Sequence, residues 1–206
     1  TNPELAAQAD GWDPTTVVAG SGKQLKWKCP LGHQWRATAD NRSSGSGCPY
    51  CANRSVLSGF NDLATTNPEL AAQADGWDPT TVVAGSGKQL KWKCPLGHQW
   101  RATADNRSSG SGCPYCANRS VLSGFNDLAT TNPELAAQAD GWDPTTVVAF
   151  SNRKVQWKCS KGHTWRATVA SRSGGTNCPV CSGLAVEKGF NDLATTNPEL
   201  AAQADG

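Results

Sequence analysis

Cysteine and histidine occur in this 206-residue sequence only within three copies of one pattern. Each copy has the order Cys-x3-His-x14-Cys-x2-Cys, and together the copies use all nine cysteines and all three histidines. Zn²⁺ prefers thiolate and imidazole ligands, and two short-spaced pairs can bring four of them together in a small protein. The sequence therefore predicts three metal sites, formed by Cys29, His33, Cys48 and Cys51, by Cys94, His98, Cys113 and Cys116, and by Cys159, His163, Cys178 and Cys181.

Two other chemistries use closely spaced cysteines. A disulfide framework would leave one thiol unpaired in every copy and give the histidine no role. An iron site of the rubredoxin type uses four thiolates, whereas each copy offers three. We therefore expect one structural zinc ion per copy. Four protein ligands close the coordination sphere and no histidine remains for acid–base chemistry, so we expect no enzymatic activity.

The metal pattern lies within a tandem repeat of 65 residues. Residues 1–65 and 66–130 are identical, and residues 131–195 differ from them only within a cassette at 150–188. Residues 196–206 restart the period and match its first eleven residues. We therefore predict three domains, at 1–65, 66–130 and 131–195, followed by a partial fourth repeat at 196–206.

Alternating residues around the first Cys–His pair predict a β-hairpin joined by a Pro-Leu-Gly turn. Because side chains alternate along a strand, Trp27 and Trp35 both fall on the face that carries the metal ligands. We interpret them as core residues of a small metal-centred module, with base-stacking surfaces as the alternative.

The opposite face of the hairpin carries cations, and Lys23, Arg42 and Arg54 are close to it in sequence. Clustered cations of this kind suit the phosphate backbone of nucleic acid, although a solvated strand face would look the same. The candidate nucleic-acid-binding residues are Lys26, Lys28, Arg36, Lys91, Lys93, Arg101, Lys158 and Arg166.

Short helices are predicted between the hairpins. Asn61 is a candidate cap for one helical turn, and Asn67 is a candidate cap for another that has Pro68 at its first position. The partial repeat at 196–206 contains the second of these helices. We expect this helix to pack back on the zinc module before it, so that the tail caps the third repeat.

The motifs that recur in each period are, in the first, Trp27-x-Cys29, Gly32-His33-x-Trp35, Arg42, Cys48-Pro49-x-Cys51, Asn61-Asp-Leu-Ala and Pro68-Glu-Leu-Ala. Together they resemble the tandem "probable zinc-ribbon" repeat family of bacteria and large viruses. The resemblance implies a treble-clef-like module, with one zinc knuckle on a hairpin and a second at the start of a helical segment. It also implies a non-catalytic role, and some members of the family are joined to nuclease-like domains, which points toward nucleic acid.

Composition agrees with small modules of this kind. Only 37% of the residues are hydrophobic, the mean hydropathy is −0.51, and no apolar run approaches the roughly 20 residues of a membrane-spanning helix. A unit of 65 residues is near the size at which burial alone barely stabilises a fold. We predict small α+β modules stabilised by zinc, each with a hairpin knuckle, a Cys-x2-Cys knuckle and short connecting helices, arranged like beads in a row.

Two functions fit such an array. One is binding to the backbone of DNA or RNA, and the other is a rigid spacer or interaction array for a repeating protein partner. Each Cys3His site with Zn²⁺ carries a formal charge of −1, so three sites change the net charge from +2 to −1. This lower net charge argues against strong binding to nucleic acid. We expect no membrane and no small-molecule partner. Because thiolate ligands persist in a reducing compartment, we expect a cytoplasmic location.

Overall fold

The computed structural model describes residues 2–203, and residues 1 and 204–206 lie outside the described part. Each repeat has the same order of elements, namely a helix of four residues, a 3₁₀ turn, two hairpin strands and two more short helices. In the first repeat these are α1 (Pro3–Ala6), the turn Pro14–Thr16, β1 (Gln24–Lys28), β2 (Gln34–Thr38), α2 (Ala39–Ser43) and α3 (Leu63–Thr66).

The remaining elements repeat this order. The second repeat contains α4 (Pro68–Ala71), the turn Pro79–Thr81, β3 (Gln89–Lys93), β4 (Gln99–Thr103), α5 (Ala104–Ser108) and α6 (Leu128–Thr131). The third contains α7 (Pro133–Ala136), the turn Pro144–Thr146, β5 (Lys154–Lys158), β6 (Thr164–Thr168), α8 (Val169–Ser173) and α9 (Leu193–Thr196), and α10 (Pro198–Ala201) begins the fourth period. Within the described residues no helix exceeds five residues, and none has the length or apolar character to cross a bilayer.

The chain divides into two compact units, one ending at Cys113 and one beginning at Pro114. The first unit contains two hydrophobic cores, and the second unit contains one. A buried tryptophan from the first hairpin strand lies in each core, and these are Trp27, Trp92 and Trp157, each at most 2% exposed. The interpretation of the hairpin tryptophans as core residues is therefore confirmed.

Each sheet is a two-stranded antiparallel hairpin. In the first, Trp27 pairs with Trp35, and the alternating burial of β1 places charged residues on the outer face. Gly32 in the connecting turn has a φ of +85°, which only glycine adopts without strain. The N–H of Gly32 donates to the carbonyl of Cys29 at 2.8 Å, and the N–H of Cys29 donates to the carbonyl of His33 at 3.0 Å.

The helix at the start of each period packs on the hairpin that follows it. After α1, Ala9 forms a β-bridge with Trp27, and the N–H of Lys28 donates to the carbonyl of Gln8 at 2.9 Å. The indole of Trp12 packs edge-on against Trp27 at 5.0 Å and donates to the carbonyl of Lys26 at 2.6 Å. The segment of residues 8–12 thus covers one edge of the hairpin.

The ends of the first and second periods also pack forward. Asp62 caps α3 by accepting from the N–H of Thr65 at 2.9 Å, so the prediction that Asn61 is the cap is wrong. Asn67 precedes α4 as predicted, but its side chain makes no capping hydrogen bond. The N–H of Leu63 donates to the carbonyl of Val82 at 2.7 Å, and Leu63 is fully buried in the core of the second hairpin. In the second unit, Leu128 occupies the same position against Val147.

This forward packing corrects the expectation that the tail caps the third repeat. The apolar residues of α3 and α4 have a following hairpin to cover them, whereas α9 and α10 have none within the described residues. Leu193 is accordingly 48% exposed and Leu200 is 54% exposed. Residues 204–206 of the predicted cap lie outside the described residues.

Candidate metal centres

The first two ligands of each centre come from the tight turn of a hairpin. Cys29 follows β1 directly and His33 precedes β2, and the turn between them reverses the chain at Gly32. This turn directs the Cys29 sulfur and the His33 ring to the same side, with Sγ 3.5 Å from Nδ1. Nδ1 is therefore the ring nitrogen that would coordinate a metal ion in this centre.

The other two ligands come from a separate turn. The N–H of Ala52 donates to the carbonyl of Cys48 at 3.1 Å and the N–H of Arg54 donates to that of Pro49 at 2.8 Å, and these bonds close a turn around Cys48-x2-Cys51. Cys48 is 7% exposed, whereas Cys51 lies at the surface. The second knuckle therefore provides one sulfur that is buried and one that lies at the surface.

The four ligand atoms have the spacing of a tetrahedral site. With Zn–S of about 2.3 Å and Zn–N of about 2.1 Å, a tetrahedron places two sulfurs about 3.8 Å apart and sulfur and nitrogen about 3.5 Å apart. The sulfurs of Cys29 and Cys51 are 3.8 Å apart, and Nδ1 of His33 is 3.3 Å from Cys51 and 3.8 Å from Cys48. A disulfide requires a sulfur separation of about 2.05 Å, so Cys29 and Cys51 do not form one.

Each repeat brings its predicted ligands together in one group. In the third, Nδ1 of His163 lies 3.4 Å from Cys159, 3.2 Å from Cys181 and 3.6 Å from Cys178. In the second, Nδ1 of His98 lies 3.5 Å from Cys94. Sulfur and nitrogen donors in this arrangement suit zinc, and the three sites fit three structural zinc ions.

In the first and third centres, backbone groups favour ionisation of the cysteine on the hairpin turn. Burial opposes ionisation of Cys29, but N–H groups of His33 and Leu31 donate to its sulfur and lower its pKa. The pKa of the equivalent Cys159 falls to about 7 in the same way. Burial, together with the other two cysteines of its site, raises the pKa of Cys51 to about 12. Three thiolates thus come together only when a cation offsets their charge.

The structure corrects the placement of Arg42 near the outer cationic face. Arg42 is 8% exposed, and its guanidinium lies 5.1 Å from the ring centres of both Trp27 and Trp35. Burial lowers the pKa of Arg42, and negative charge on Cys48 and Cys29 partly offsets this effect. A Cys3His zinc site has a formal charge of −1, so the buried cation balances it within the protein.

Hydrogen bonds hold Arg42 in this position. One terminal nitrogen donates to Oε1 of Gln8 at 2.6 Å, and the other donates to the carbonyl of Ser46. The same contacts recur at Arg107 and Arg172. Sequence reasoning missed this role, although the constant distance of each arginine from the second knuckle was a usable signal.

Two further side chains contact the histidine ligands. The ring of Phe60 packs on His33 with ring centres 4.1 Å apart, and Phe190 packs on His163 at 4.4 Å. In the third repeat, a carboxylate oxygen of Glu187 lies 3.7 Å from Nε2 of His163. This separation exceeds hydrogen-bond distance, so the carboxylate is a neighbour of the ring and not a hydrogen-bond partner. The first two repeats have leucine at this position, so the cassette gives the third centre a different environment.

The predicted nucleic-acid-binding residues lie on the outer faces of the hairpins, and Lys28, Lys93 and Lys158 directly precede the first ligand of each centre. Within residues 2–203, no carboxylate lies within ion-pair distance of them. In the first hairpin, Lys26 lies directly opposite Arg36, and Lys28 lies opposite Gln34. All eight predicted residues are exposed, namely Lys26, Lys28, Arg36, Lys91, Lys93, Arg101, Lys158 and Arg166.

These features define a class of protein, a tandem array of treble-clef-like zinc modules with one Cys3His centre per repeat. The model of the family described as "Probable Treble clef zinc finger domain" matches residues 4–54, 69–119 and 134–184, and the chain belongs to this family. The chain is also similar to the SPbeta prophage-derived uncharacterized protein YomD of Bacillus subtilis (strain 168), with 25% identity over 115 residues. That match spans 55% of this chain and 41% of the relative.

Proposed function

We propose that this chain is a non-catalytic array of zinc-stabilised modules that binds the phosphate backbone of nucleic acid through the outer faces of its hairpins. The observation that carries the proposal is the position of Lys26 directly opposite Arg36 on an exposed face. Like charges in opposite positions destabilise a hairpin. Lys91 and Arg101 repeat the arrangement, and an anion bound between such cations relieves their repulsion.

The distribution of charge sets the expected strength of binding. In the third hairpin Gln156 replaces the lysine opposite Arg166, but Lys154 replaces the exposed glutamine at the start of the strand, so each outer face carries three cations. The formal charge of the zinc-loaded chain is about −1 with three Cys3His sites, so attraction depends on the local faces and falls steeply as salt increases.

No catalytic step is part of this proposal. A catalytic zinc ion keeps one coordination position for water or substrate. Each centre here offers four protein ligands. In the first centre, Phe60 packs against the ring of His33 and Arg42 packs against Trp27, so neither side chain lines an open coordination position. Zinc then has a structural role, which is to hold the hairpin in the conformation that presents its cations.

The proposal is tested with zinc-loaded protein titrated into labelled duplex and single-stranded DNA and RNA at about 50 to 200 mM salt. We expect affinity to fall with salt and to fall further in a fourfold alanine variant at the hairpin lysines. Each lost phosphate contact should reduce the slope of log affinity against log salt by about 1. The substitutions are Lys26→Ala, Lys28→Ala, Lys91→Ala and Lys93→Ala.

The matched control removes the same charge from exposed loops and leaves the hairpin faces intact. We expect it to bind much more tightly than the hairpin variant, and both variants should retain three equivalents of zinc. Equal loss in both would mean that only net charge matters, and no binding near 50 mM salt would remove the proposal. The control substitutions are Lys23→Ala, Arg54→Ala, Lys88→Ala and Arg119→Ala.

A second candidate function is a stiff connecting array, and the burial of Leu63 favours it. Only two residues separate Phe60, which packs on His33 of the first repeat, from Leu63, which lies in the core of the second. Such a short and buried connection restricts motion between these two repeats. If nucleic acid does not bind, this function is tested by small-angle scattering of the Leu63→Gly variant and of the unchanged chain. A stiff array predicts a broader size distribution for the variant than for the unchanged chain.

A further inference from the structure

The third repeat presents an aromatic ring that the other two repeats lack. Phe150 stands where the first two repeats have Gly20 and Gly85. Its side chain is 68% exposed, whereas the other phenylalanines of the described residues are at most 38% exposed. A single exposed apolar side chain is common in proteins, so the backbone of Phe150 is the more informative feature.

The backbone of Phe150 lies in the left-handed region, with a φ of +63°. A bulky residue seldom adopts this conformation, because its Cβ comes too close to the carbonyl that follows. Gly20 and Gly85 lie outside this region, although glycine adopts it without strain. Strained backbone of this kind is concentrated at binding sites, where the surrounding structure maintains it. The strain at Phe150 therefore indicates a contact made by its exposed ring.

Hydrogen bonds fix the loop that carries the ring. The N–H of Phe150 donates to Oγ of Ser173 at 3.4 Å, and the N–H of Ala170 donates to the carbonyl of Ser151 at 2.8 Å. The N–H of Arg153 donates to Oγ of Ser151 at 3.2 Å. The loop is thus held against α8 before any ligand arrives, so little conformational entropy is lost when the ring binds.

Two exposed cations follow the ring along the chain, Arg153 and Lys154. Their Cα atoms lie within about 14 Å of that of Phe150, because at most four residues separate them. No carboxylate among residues 2–203 lies within ion-pair distance of either cation. The first two repeats have lysine followed by glutamine at these positions, so the cassette adds a cation close to the ring that it also adds.

We propose that Phe150 is a stacking platform for an unpaired base of single-stranded DNA or RNA, and that Arg153 and Lys154 bind the adjoining phosphates. An aromatic ring stacks on any base, and cations beside it bind the backbone of the same strand. In a duplex the neighbouring bases cover both faces of each base, so a surface ring reaches a base only in an unpaired strand. This inference rests on the proposed function and names the form of nucleic acid that the third repeat selects.

The test compares the zinc-loaded unchanged chain with Phe150→Gly. Both are titrated into short labelled single strands of DNA and RNA, into a DNA strand that lacks bases and into duplex DNA, at about 50 to 200 mM salt. We expect Phe150→Gly to bind the single strands about 5- to 100-fold more weakly, which is the effect of losing one base stack. Its affinity for the duplex and for the strand without bases should not change. The slope of log affinity against log salt should also stay the same, because no phosphate contact is lost.

The variant is designed to fold. Phe150→Gly restores the residue of the first two repeats, relieves the left-handed strain and removes a side chain that is 68% exposed. It should therefore retain three equivalents of zinc and the melting temperature of the unchanged chain. Leu184→Gly is the matched control, because Leu184 is 84% exposed in the same repeat but lies after the second knuckle. It should bind all strands like the unchanged chain.

Two further variants separate stacking from general apolar contact. Phe150→Tyr keeps a ring and should keep the affinity for single strands, whereas Phe150→Leu keeps an apolar side chain and should lose it. Full single-strand affinity in Phe150→Gly or in Phe150→Leu, or an equal loss in Leu184→Gly, would overturn this inference and leave backbone binding by the hairpins intact. An unchanged chain that binds no strand near 50 mM salt would overturn it together with the proposed function.

Discussion

The N–H of Leu63 donates to the carbonyl of Val82 at 2.7 Å, and the Leu63 side chain is fully buried beside Trp92. Phe60, three residues earlier, packs on the His33 ligand of the first metal centre. Asn61 between them accepts from the N–H of Leu57 at 2.7 Å and donates to the carbonyl of Tyr50 at 2.8 Å. The loop of one metal centre and the core of the next hairpin are therefore joined without a flexible linker, so their stabilities should be coupled.

Replacement of Leu63 measures this coupling. Leu63→Ala removes a fully buried side chain and should lower the free energy of unfolding of the second repeat by about 3 kcal/mol. Urea unfolding followed by tryptophan fluorescence is the measurement. Leu193→Ala is the matched control, because it makes the same change in the same local sequence at a residue that is 48% exposed. Measured at a low protein concentration, the control should change stability by less than about 0.5 kcal/mol. Equal effects in the two variants would contradict the coupling.

Zinc removal should unfold every module. A repeat of 65 residues has a small core, and zinc binding to such sites contributes on the order of 10 to 16 kcal/mol at neutral pH. We expect a strong chelator to abolish the ordered circular dichroism and to shift tryptophan emission to the red, because Trp27 and Trp92 lose their burial. Added zinc should restore both signals at three equivalents. A spectrum that survives chelation would show that the cores fold without metal.

The metal ligands and the hairpins were predictable because the physics that produces them is local. Four sulfur and nitrogen donors at this fixed spacing commonly bind zinc. Because side chains alternate along a strand, Trp27 and Lys28 must face opposite sides, and the apolar tryptophan faces inward. The core in which Leu63 packs was not predictable in this way. Its local sequence indicates an apolar residue after a helix cap, but whether it packs backward or forward depends on which core has a complementary groove.

Arg42 shows a second limit of sequence reasoning. An arginine on a short helix is usually exposed, so its pattern suggests one more surface cation. Its burial follows from three distant partners, Trp27, Trp35 and the thiolates of the metal centre, which come together only in the folded module. The sequence was misleading at Asn61 as well, because an asparagine before a helix suggests a cap. In the structure its amide donates to loop carbonyls, and the neighbouring Asp62 caps the helix.

Arg42→Met should destabilise the first metal centre. The substitution keeps most of the side-chain volume but removes a buried cation beside a site of formal charge −1, a change that typically costs about 3 to 5 kcal/mol. We expect one of three zinc equivalents to pass to a competing chelator at a lower chelator concentration than in the unchanged chain. Arg54→Met is the control, because Arg54 is exposed, and it should leave all three equivalents equally resistant. Retention of the first zinc ion in Arg42→Met would refute charge balance by Arg42.

Acid unfolding should follow loss of zinc and not protonation of the Asp62 cap. The hydroxyl of Thr65 donates to Asp62 and lowers its pKa; burial acts in the opposite direction, and N–H groups of Thr65 and Gly59 add to the lowering. Because the folded state favours the ionised form, this contribution is complete above the unfolded pKa of about 3.9 and is lost only as pH falls through the lower folded value. Protons compete with zinc for thiolates and for histidine, whose ordinary pKa is about 6.5.

Zinc release and unfolding should therefore coincide at a midpoint above about pH 4, where Asp62 is still ionised. Asp62→Ala should lower the melting temperature at pH 7 by a few degrees but leave the pH midpoint of zinc release unchanged. Asp192→Ala removes the same cap from α9, which no hairpin covers within the described residues, and should change neither quantity. A zinc indicator read together with circular dichroism across the titration checks both. Unfolding that begins only below about pH 4, with zinc still bound, would assign the transition to the carboxylates instead.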